Sequence, residues 1–351
     1  MSFPVAVSSK LPALRPHLLA LGAGAGGAGL AALFGIPAGA LIGASLAVAG
    51  LAASRVPVAV NNQLRQVAFT LIGISLGSTV PPGLLDRVGS WSASLGMLFL
   101  SLVATLWVSS WVLVRFFGQD AETALLSSVP GALSNNIALA LEGRGDVTTI
   151  MVMQTLRVLM LTVFVPPIAT LAGAPDNTGT GPGTMSLAAL AVLLVLGVIV
   201  ARLGQWLRLP AAALLSGMVI AAGAHVTGMV QGLAPGWVIF VSFTVTGAAL
   251  GAQFSAIAPA QFARLAGAAL ISVGLAVLVS MSFAVLTSWI TGLSLGQIWI
   301  AFAPGAIEAM AAIGLALGYD PAYVATHHFV RIAMLLALAP LALRIAVKWG
   351  R

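Results

Sequence analysis

Long apolar runs recur along almost the whole chain, and their length limits the fold more than any other feature. The first extends from about His17 to Phe34, and others follow at short intervals to residue 347. An apolar stretch of roughly 20 residues can cross the hydrocarbon core of a bilayer as a helix. Only 7% of the residues are charged, against about 25% in a typical soluble domain, which is too few to cover a water-facing surface. We therefore predict an all-α integral membrane protein.

The excess of basic residues does not indicate nucleic-acid binding, although the net charge is +7. The 15 Lys and Arg residues stand singly between apolar runs and form no basic patch. Such isolated charges are typical topology signals at the ends of membrane spans. The expected partners are the lipid bilayer and a small-molecule substrate, not nucleic acid, and a homo-oligomer stays open. The absence of cysteine excludes disulfides and thiolate metal sites.

An internal repeat divides the chain into two halves. Pro130 and Gly131 recur 174 residues later as Pro304 and Gly305. The same register pairs Asp146 with Asp320, Arg157 with Arg331, Pro166 with Pro340, Gly73 with Gly247 and Gly77 with Gly251. Chance matches of Leu and Ala in apolar sequence do not produce such a fixed register. We predict an N-terminal tail at 1–16, membrane repeats at 17–172 and 186–347, a linker at 173–185 and a C-terminal tail at 348–351.

The placement of arginines predicts that the repeats are inverted. Arg55 and Arg65 flank the second loop of the first repeat, whereas Arg202 and Arg208 flank the first loop of the second. Equivalent loops then lie on opposite sides of the membrane, as an inverted repeat requires. Inversion needs an odd number of crossings, so we expect about five per repeat plus one broken or re-entrant segment. The arginine-rich side is predicted to face the cytoplasm of a multi-pass protein in the bacterial inner (plasma) membrane.

The segments 121–142 and 295–317 are interrupted by the repeated Pro-Gly pair. Backbone can be broken at membrane depth only where it is buried in protein or lines a wet cavity. In the first repeat, the polar residues Ser134, Asn135 and Asn136 follow the break. The two breaks are therefore candidate substrate-binding elements, whether the segments re-enter or span the membrane.

Two arginines and one acid lie inside the apolar segments near these breaks. A central arginine costs roughly 2.5–3.5 kcal/mol to insert, so Arg157 and Arg331 each need a partner or a cavity. Gln154 lies three residues before Arg157, on the same helix face, and His328 has the same spacing from Arg331. Glu308 is a candidate ion-pair partner for Arg331. These residues either form an anion-binding or proton-coupled site, or the arginines tie free carbonyls of the broken segments to the bundle.

The repeated unit resembles the bacterial AbrB-type membrane proteins from about residue 17 to 347. It consists of a Pro-Gly break, an Asp, a Gln/His-x-x-Arg step and a closing Pro. The family motif Pro-Gly-Gly-x-x-Glu-Met is matched by residues 304–310, with Ala306 replacing one Gly, whereas residues 130–136 lack both Glu and Met. The resemblance implies a duplicated membrane region. It also brings the labels "regulation of gene expression" and "ammonia monooxygenase", neither of which states a molecular mechanism.

These patterns favour a secondary transporter that moves a small, anionic metabolite by alternating access, without cofactor, metal or catalytic site. The alternatives are a membrane protein that regulates gene expression indirectly and a membrane monooxygenase. A monooxygenase needs a metal held by imidazole or carboxylate ligands, and the adjacent His327 and His328 point about 100° apart on a helix. The candidate substrate-binding residues are Arg157, Arg331, Glu308, Gln154, His328, Asn135, Asn136, Ser134, Pro130, Gly131, Pro304 and Gly305.

Overall fold

The computed structural model describes residues 14–80, 89–130, 136, 139–140, 143–172, 183–207, 209 and 211–349. Within these ranges the regular structure is helical, apart from one isolated bridge between Thr184 and Leu233. Seven helical stretches there are long and apolar enough to cross a membrane. The predicted all-α membrane protein is therefore confirmed.

The described helices of the two repeats follow each other in the same order, and only the helix Ile307–Ala316 has its equivalent positions largely outside the described residues. The first has α1 (Leu14–Leu33), α2 (Gly39–Ala53), α3 (Asn62–Gly77), α4 (Ser92–Phe117), α5 (Ala121–Ser128) and α6 (Val147–Leu171). The second has α7 (Leu187–Trp206), α8 (Ala212–Val226), α9 (Gly236–Ala252), α10 (Pro259–Thr291), α11 (Leu295–Phe302), α12 (Ile307–Ala316) and α13 (Pro321–Trp349). Most equivalent helices begin 173 or 174 residues apart, as Gly39 and Ala212 do. The exact bounds of the tails and linker stay predictions, because 1–13, 173–182 and 350–351 lie outside the described residues.

Equivalent helices of the two repeats run in opposite directions. Nδ1 of His17 in α1 lies 3.0 Å from the carbonyl oxygen of Ala59, just before α3, so α1 and α3 begin at the same end of the bundle. The Ser255 hydroxyl, just after α9, donates to the carbonyl of Val58 at 3.2 Å. Helix α9 therefore ends where its equivalent, α3, begins, and the repeats are inverted.

Each broken segment starts and finishes at one end of the bundle. The Asp146 amide, which precedes α6, donates to the Thr123 hydroxyl in α5 at 2.8 Å. In the second repeat, a Cβ at Gly296 in α11 would collide with the hydroxyl of Tyr319, which precedes α13. Helices α5 and α11 have 8 residues each, about 12 Å, which is less than half of a hydrocarbon core about 30 Å thick. Both segments are therefore re-entrant hairpins, and five helices traverse the bundle in each repeat.

The arginines of the described residues, apart from the two in the interior, lie at one end of the bundle. With the helix directions above, this end holds Arg15, Arg55, Arg65, Arg115, Arg144, Arg202, Arg264 and Arg344. We call it the arginine-rich end and the opposite one the arginine-poor end. The first hairpin enters from the arginine-rich end, and the second enters from the arginine-poor end. The positive-inside rule predicts that the arginine-rich end faces the cytoplasm.

The helices form two groups. In the scaffold group, α3 packs on α8 and α2 on α9, with α1 and α7 outside them. These pairs approach closely because glycines face backbone: a Cβ at Gly73 would lie 2.0 Å from the Leu214 carbonyl oxygen, and one at Gly247 would lie 2.4 Å from that of Leu41. The hairpin group comprises α4, α5, α6 and α10 to α13. The two groups meet along α3, which contacts α12 and α13, and along α2, which contacts α6.

Candidate site at the two helix breaks

Arg157, in the middle of α6, binds the free end of α5. Its side chain is 5% exposed. Nη1 donates to the carbonyls of Ser127 and Ser128 at 3.2 and 3.3 Å, and Nη2 donates to that of Val129 at 3.0 Å. The last carbonyls of a helix have no partner in the helix itself, and Pro130 cannot continue this one. The guanidinium therefore caps α5 from another helix.

Two amide side chains complete this cap. Nε2 of Gln154 donates to the carbonyls of Leu126 and Val129, both at 2.9 Å, and Nδ2 of Asn136 donates to the same two oxygens at 3.3 Å. Oε1 of Gln154 accepts from Nη2 of Arg157. Gln154 thus binds both the end of α5 and the guanidinium, and it holds the arginine in place.

The second break is capped by the equivalent positions. Arg331 is fully buried and donates from Nη1 to Ala303 and from Nη2 to Gly305. Nε2 of His328 lies 3.0 Å from the carbonyl of Ile300 and donates to it, because a carbonyl only accepts. His328 therefore stands in for the glutamine of the first repeat. The Gln/His-x-x-Arg step is a repeated device for ending a half-helix inside the membrane.

These contacts explain why arginine occupies the interior. The carbonyl end of a helix carries a partial negative charge that a cation stabilises. In transporters with broken helices, such ends often coordinate a coupling cation; here the guanidinium groups of Arg157 and Arg331 supply the positive charge. The Nη donors of both residues bind backbone carbonyls. This is the alternative in which the arginines tie the free carbonyls of the broken segments to the bundle. Whether either residue also binds substrate stays a prediction.

Several buried polar atoms around the breaks have no hydrogen-bond partner. They are Nε of Arg157, Nε of Arg331, Nδ1 of His328, Nε1 of Trp299, Oδ1 of Asn136 and Oγ of Ser127. A buried polar group left unpaired costs roughly 1–3 kcal/mol, so such groups normally bind water or a ligand. Both breaks therefore contain polar atoms that their caps do not use.

Glu308 differs from the other predicted residues because its side chain is partly exposed while its chain neighbours, Ile307 and Ala309, are buried. It lies in the first turn of α12, where the helix dipole favours an acid, and no side chain caps this helix start. The expected ion pair with Arg331 is not formed, since that guanidinium binds two carbonyls instead. Among the described residues Glu308 has no ion-pair partner, although its charge interacts with that of Arg65 on α3.

The remaining predicted residues are placed as follows. Pro130 and Pro304 are buried at the two turns, whereas Gly131, Ser134 and Asn135 lie outside the described residues. Asp146 and Asp320 cap helix starts through backbone amides. The hydroxyl of Thr149 lowers the pKa of Asp146 by hydrogen bonding to its charged form.

One polar cluster at the arginine-poor end was missed by the sequence analysis. His327 is fully buried, and its Nε2 lies 2.7 Å from the hydroxyl of Ser94 on α4. From the sequence, His327 was weighed as a metal ligand beside His328, and nothing connected it to Ser94. No sequence signal links His327 to Ser94, because 233 residues separate them.

Comparison with known proteins gives a family and one relative. The model of a family described as "Transition state regulatory protein AbrB" matches residues 40–347. The uncharacterized protein YhjN of Bacillus subtilis (strain 168) is 26% identical over 299 residues, which cover 80% of this chain and 78% of that protein. Neither description names a substrate.

Proposed function

The chain belongs to the AbrB family of membrane proteins, and from this premise we propose that it is a secondary transporter that moves a small organic anion by alternating access. The observation that carries the proposal is the pair of capped, re-entrant hairpins that enter an inverted repeat from opposite ends. Transporters built from inverted repeats bind their substrates between broken helices near the middle of the membrane. No Gly-Lys pair occurs in the chain, so it has no phosphate-binding loop for ATP, and a gradient is the expected energy source.

The charge of the interior supports an anionic substrate. Arg157 and Arg331 are buried close enough for their positive charges to interact, and Glu308 is the acid nearest the breaks among the described residues. The free amide groups at the start of α12 add the positive end of a helix dipole. Two fixed cations and a helix start against one acid favour binding of a carboxylate.

We assign different roles to the residues at the breaks. Arg157 and Arg331 hold the hairpin ends with their Nη atoms and offer their unpaired Nε–H groups to the substrate. Gln154, His328 and Asn136 position the same hairpin ends through their bonds to carbonyls. Glu308, which has no such bond, contacts the substrate or its accompanying proton.

The two helix groups supply the moving parts in this proposal. The scaffold pairs α3–α8 and α2–α9 are held together by direct backbone approach at glycines, so each pair moves as a unit. The hairpin group meets this scaffold mainly along α2 and α3. Rocking of one group against the other would expose the breaks to one end at a time, as alternating access requires.

The test begins with purified protein and a thermal-shift screen of mono- and dicarboxylates, with matched amines as the contrasting set. A compound that stabilises the protein is then used for uptake into proteoliposomes. We expect stabilisation by at least one carboxylate, saturable uptake of it, and no stabilisation by the amines. A protein that no organic anion stabilises, and that transports none, would refute the proposal.

Arg331→Lys tests the site within that assay. Lysine keeps a positive charge beside the carbonyls but lacks the planar fork and the Nε–H. We expect the variant to insert, to retain most of its thermal stability, and to lose most of the carboxylate-dependent stabilisation and uptake. Arg344→Lys, at an exposed position on the same helix, is the control and should behave as the native protein. Normal uptake by Arg331→Lys would show that this arginine has only a structural role, the capping of α11.

A further inference from the structure

A fully buried histidine joins α4 to α13 at the arginine-poor end. Nε2 of His327 lies 2.7 Å from the Ser94 hydroxyl, and Nδ1 lies 2.8 Å from the carbonyl oxygen of Tyr323. The Ser94 hydroxyl is also 2.9 Å from the carbonyl oxygen of Trp91. One rotatable hydroxyl therefore stands between an imidazole nitrogen and a carbonyl.

The partners of His327 fix where its protons lie. Because the Tyr323 carbonyl can only accept, Nδ1 carries a hydrogen, and in the neutral ring Nε2 accepts from the hydroxyl of Ser94. When the ring is protonated, Nε2–H donates to that hydroxyl, which then turns its own proton to the Trp91 carbonyl. Both protonation states have hydrogen-bond partners without any change of side-chain position, so the contact is suited to accept a proton.

The surroundings of the ring are aromatic. Its centroid lies 3.9 Å from that of Tyr323, 6.2 Å from that of Trp91 and 6.3 Å from that of Phe302. Aromatic faces attract a cation, so they ease the arrival of a proton. They do not replace an anionic partner.

No acid faces the imidazole as a partner among the described residues. The charged or titratable side chains on elements that pack against α13 are Arg65 on α3, Arg115 on α4, Glu122 on α5 and Glu308 on α12, and α13 itself carries Tyr323, His328, Arg331 and Arg344 after its cap, Asp320. The carboxylates among them, those of Glu122, Glu308 and Asp320, form no hydrogen bond or ion pair with the His327 ring. A buried cation without a paired anion is unfavourable, so a protonated ring favours a state in which α4 and α13 separate and admit water.

The arginine-rich end has no counterpart of the His327–Ser94 hydrogen bond at the equivalent positions. In the repeat, Ser94 corresponds to Ala268 and His327 to Met153, and both lie in an apolar cluster with Leu265, the equivalent of Trp91. The equivalent contact between α10 and α6 therefore has nothing that can titrate. Any proton-dependent opening through this contact is confined to the arginine-poor end.

We propose that His327 and Ser94 form the binding site for a coupled proton, and that its binding opens the α4–α13 interface at the arginine-poor end. The inference rests on the proposed transport function for its purpose: a proton bound there would accompany the organic anion through the same opening. Proton binding itself would occur with or without a substrate, which allows a separate test.

The experiment measures the opening directly by pulsed electron paramagnetic resonance. The chain has no native cysteine, so spin labels at Ser92→Cys and Ala316→Cys report without background. Both positions are exposed at the arginine-poor end, one at the start of α4 and one just before the loop that leads into α13. In proteoliposomes taken from pH 8 to pH 5, we expect the population with the longer distance to grow along a single-proton curve.

Three variants test whether His327 carries this response. His327→Gln keeps a hydrogen-bonding side chain that cannot titrate, and the double variant His327→Met, Ser94→Ala reproduces the opposite end; both should stay in the short-distance population at every pH. Ser94→Ala alone removes the hydroxyl that pairs with Nε2 in the closed interface, whereas water supplies a partner in the open state, so the closed state is weakened and the transition should move to higher pH. This smaller change keeps the test decisive if either His327 variant fails to fold.

His225→Gln is the control, because His225 lies at the same end and is hydrogen-bonded to backbone carbonyls of Ala221 and Gly232. It should respond to pH as the native protein does. The inference is overturned if the native distances do not depend on pH, or if His327→Gln responds normally. If the interface opens on acidification but no organic anion is taken up, the proton site is supported and the proposed transport function is refuted.

Discussion

The guanidinium of Arg157 lies 3.0 Å from the carbonyl oxygen of Val129, where α5 ends inside the bundle. A backbone end at this depth needs a partner in the protein or a wet cavity. The bond therefore links the only charge of α6 to the tip of a hairpin that begins at Ala121, 36 residues before Arg157 (157 − 121). Arg331 repeats the link at Ala303.

The first prediction is that Arg157→Ala lowers stability without altering topology. The variant leaves the carbonyls of Ser127, Ser128 and Val129 without this donor, and each buried group left unpaired costs roughly 1–3 kcal/mol. Partial relief by Gln154 and Asn136, which bind Val129 independently, keeps the expected loss to about 2–4 kcal/mol. Thermal unfolding in detergent measures it, and Arg344→Ala, at an exposed position, should change little. Equal melting temperatures for the two variants would contradict the capping role.

The second prediction concerns the residue that accompanies each arginine. Nε2 of His328 and Nε2 of Gln154 donate to equivalent carbonyls, those of Ile300 and Leu126. His328→Gln should therefore fold with nearly native stability, because the amide supplies the same donor. His328→Leu should lose roughly 1–3 kcal/mol, since the carbonyl is left unpaired. Thermal unfolding of the pair distinguishes a hydrogen-bonding role from a packing role, in which leucine would serve at least as well as glutamine.

The membrane class, the repeat and the inversion could be predicted from the sequence, whereas the re-entrant path could not. Length and hydropathy decide the membrane class, and the 174-residue register of Pro130 and Pro304 is visible without coordinates. The alternation of Arg55 and Arg202 indicated the inversion, because positive charge at helix ends is a local signal. The re-entrant path was not decided, since the contact of Thr123 with Asp146 depends on how the chain returns.

Partner choice at the breaks was the hardest part to predict. The sequence suggested that Arg331 pairs with Glu308, because opposite charges in an apolar region attract. The free carbonyls of a broken helix compete for the same guanidinium, and a sequence shows neither their number nor their direction. The Ser94–His327 contact was missed for a related reason: it joins helices from different repeats, and serine is common in closely packed membrane helices.

The third prediction tests the inverted topology with single cysteines. Ser54 follows α2 and Met229 follows α8, so these exposed positions are near-equivalents in the repeat. A membrane-impermeant maleimide should label Ser54→Cys only from the cytoplasmic side and Met229→Cys only from the opposite side. Trp206→Cys, at the end of α7, should label with Ser54→Cys. Labelling of Ser54→Cys and Met229→Cys from one side would require parallel repeats and would contradict the helix directions described above.

The last prediction concerns Glu308, whose removal should affect binding rather than folding. Its side chain is partly exposed and forms no ion pair among the described residues, so Glu308→Gln removes a charge without leaving a buried partner unpaired. We expect a melting temperature close to the native one.

The charge of Glu308 should nevertheless control ligand binding. It lies three residues after Gly305, whose carbonyl binds the buried Arg331, so its neutralisation increases the positive potential at the second break. Glu308→Gln should still bind a carboxylate in the thermal-shift assay, and its binding should depend less on pH, because a titratable carboxyl at the second break has been removed. Proton-driven uptake into proteoliposomes should fall by at least about tenfold, which corresponds to about 1.4 kcal/mol. Glu122→Gln, in the first turn of α5 at the hairpin entrance, is the matched control and should retain both. Native pH dependence and uptake in Glu308→Gln would exclude this carboxylate from transport and leave it as a helix-start charge.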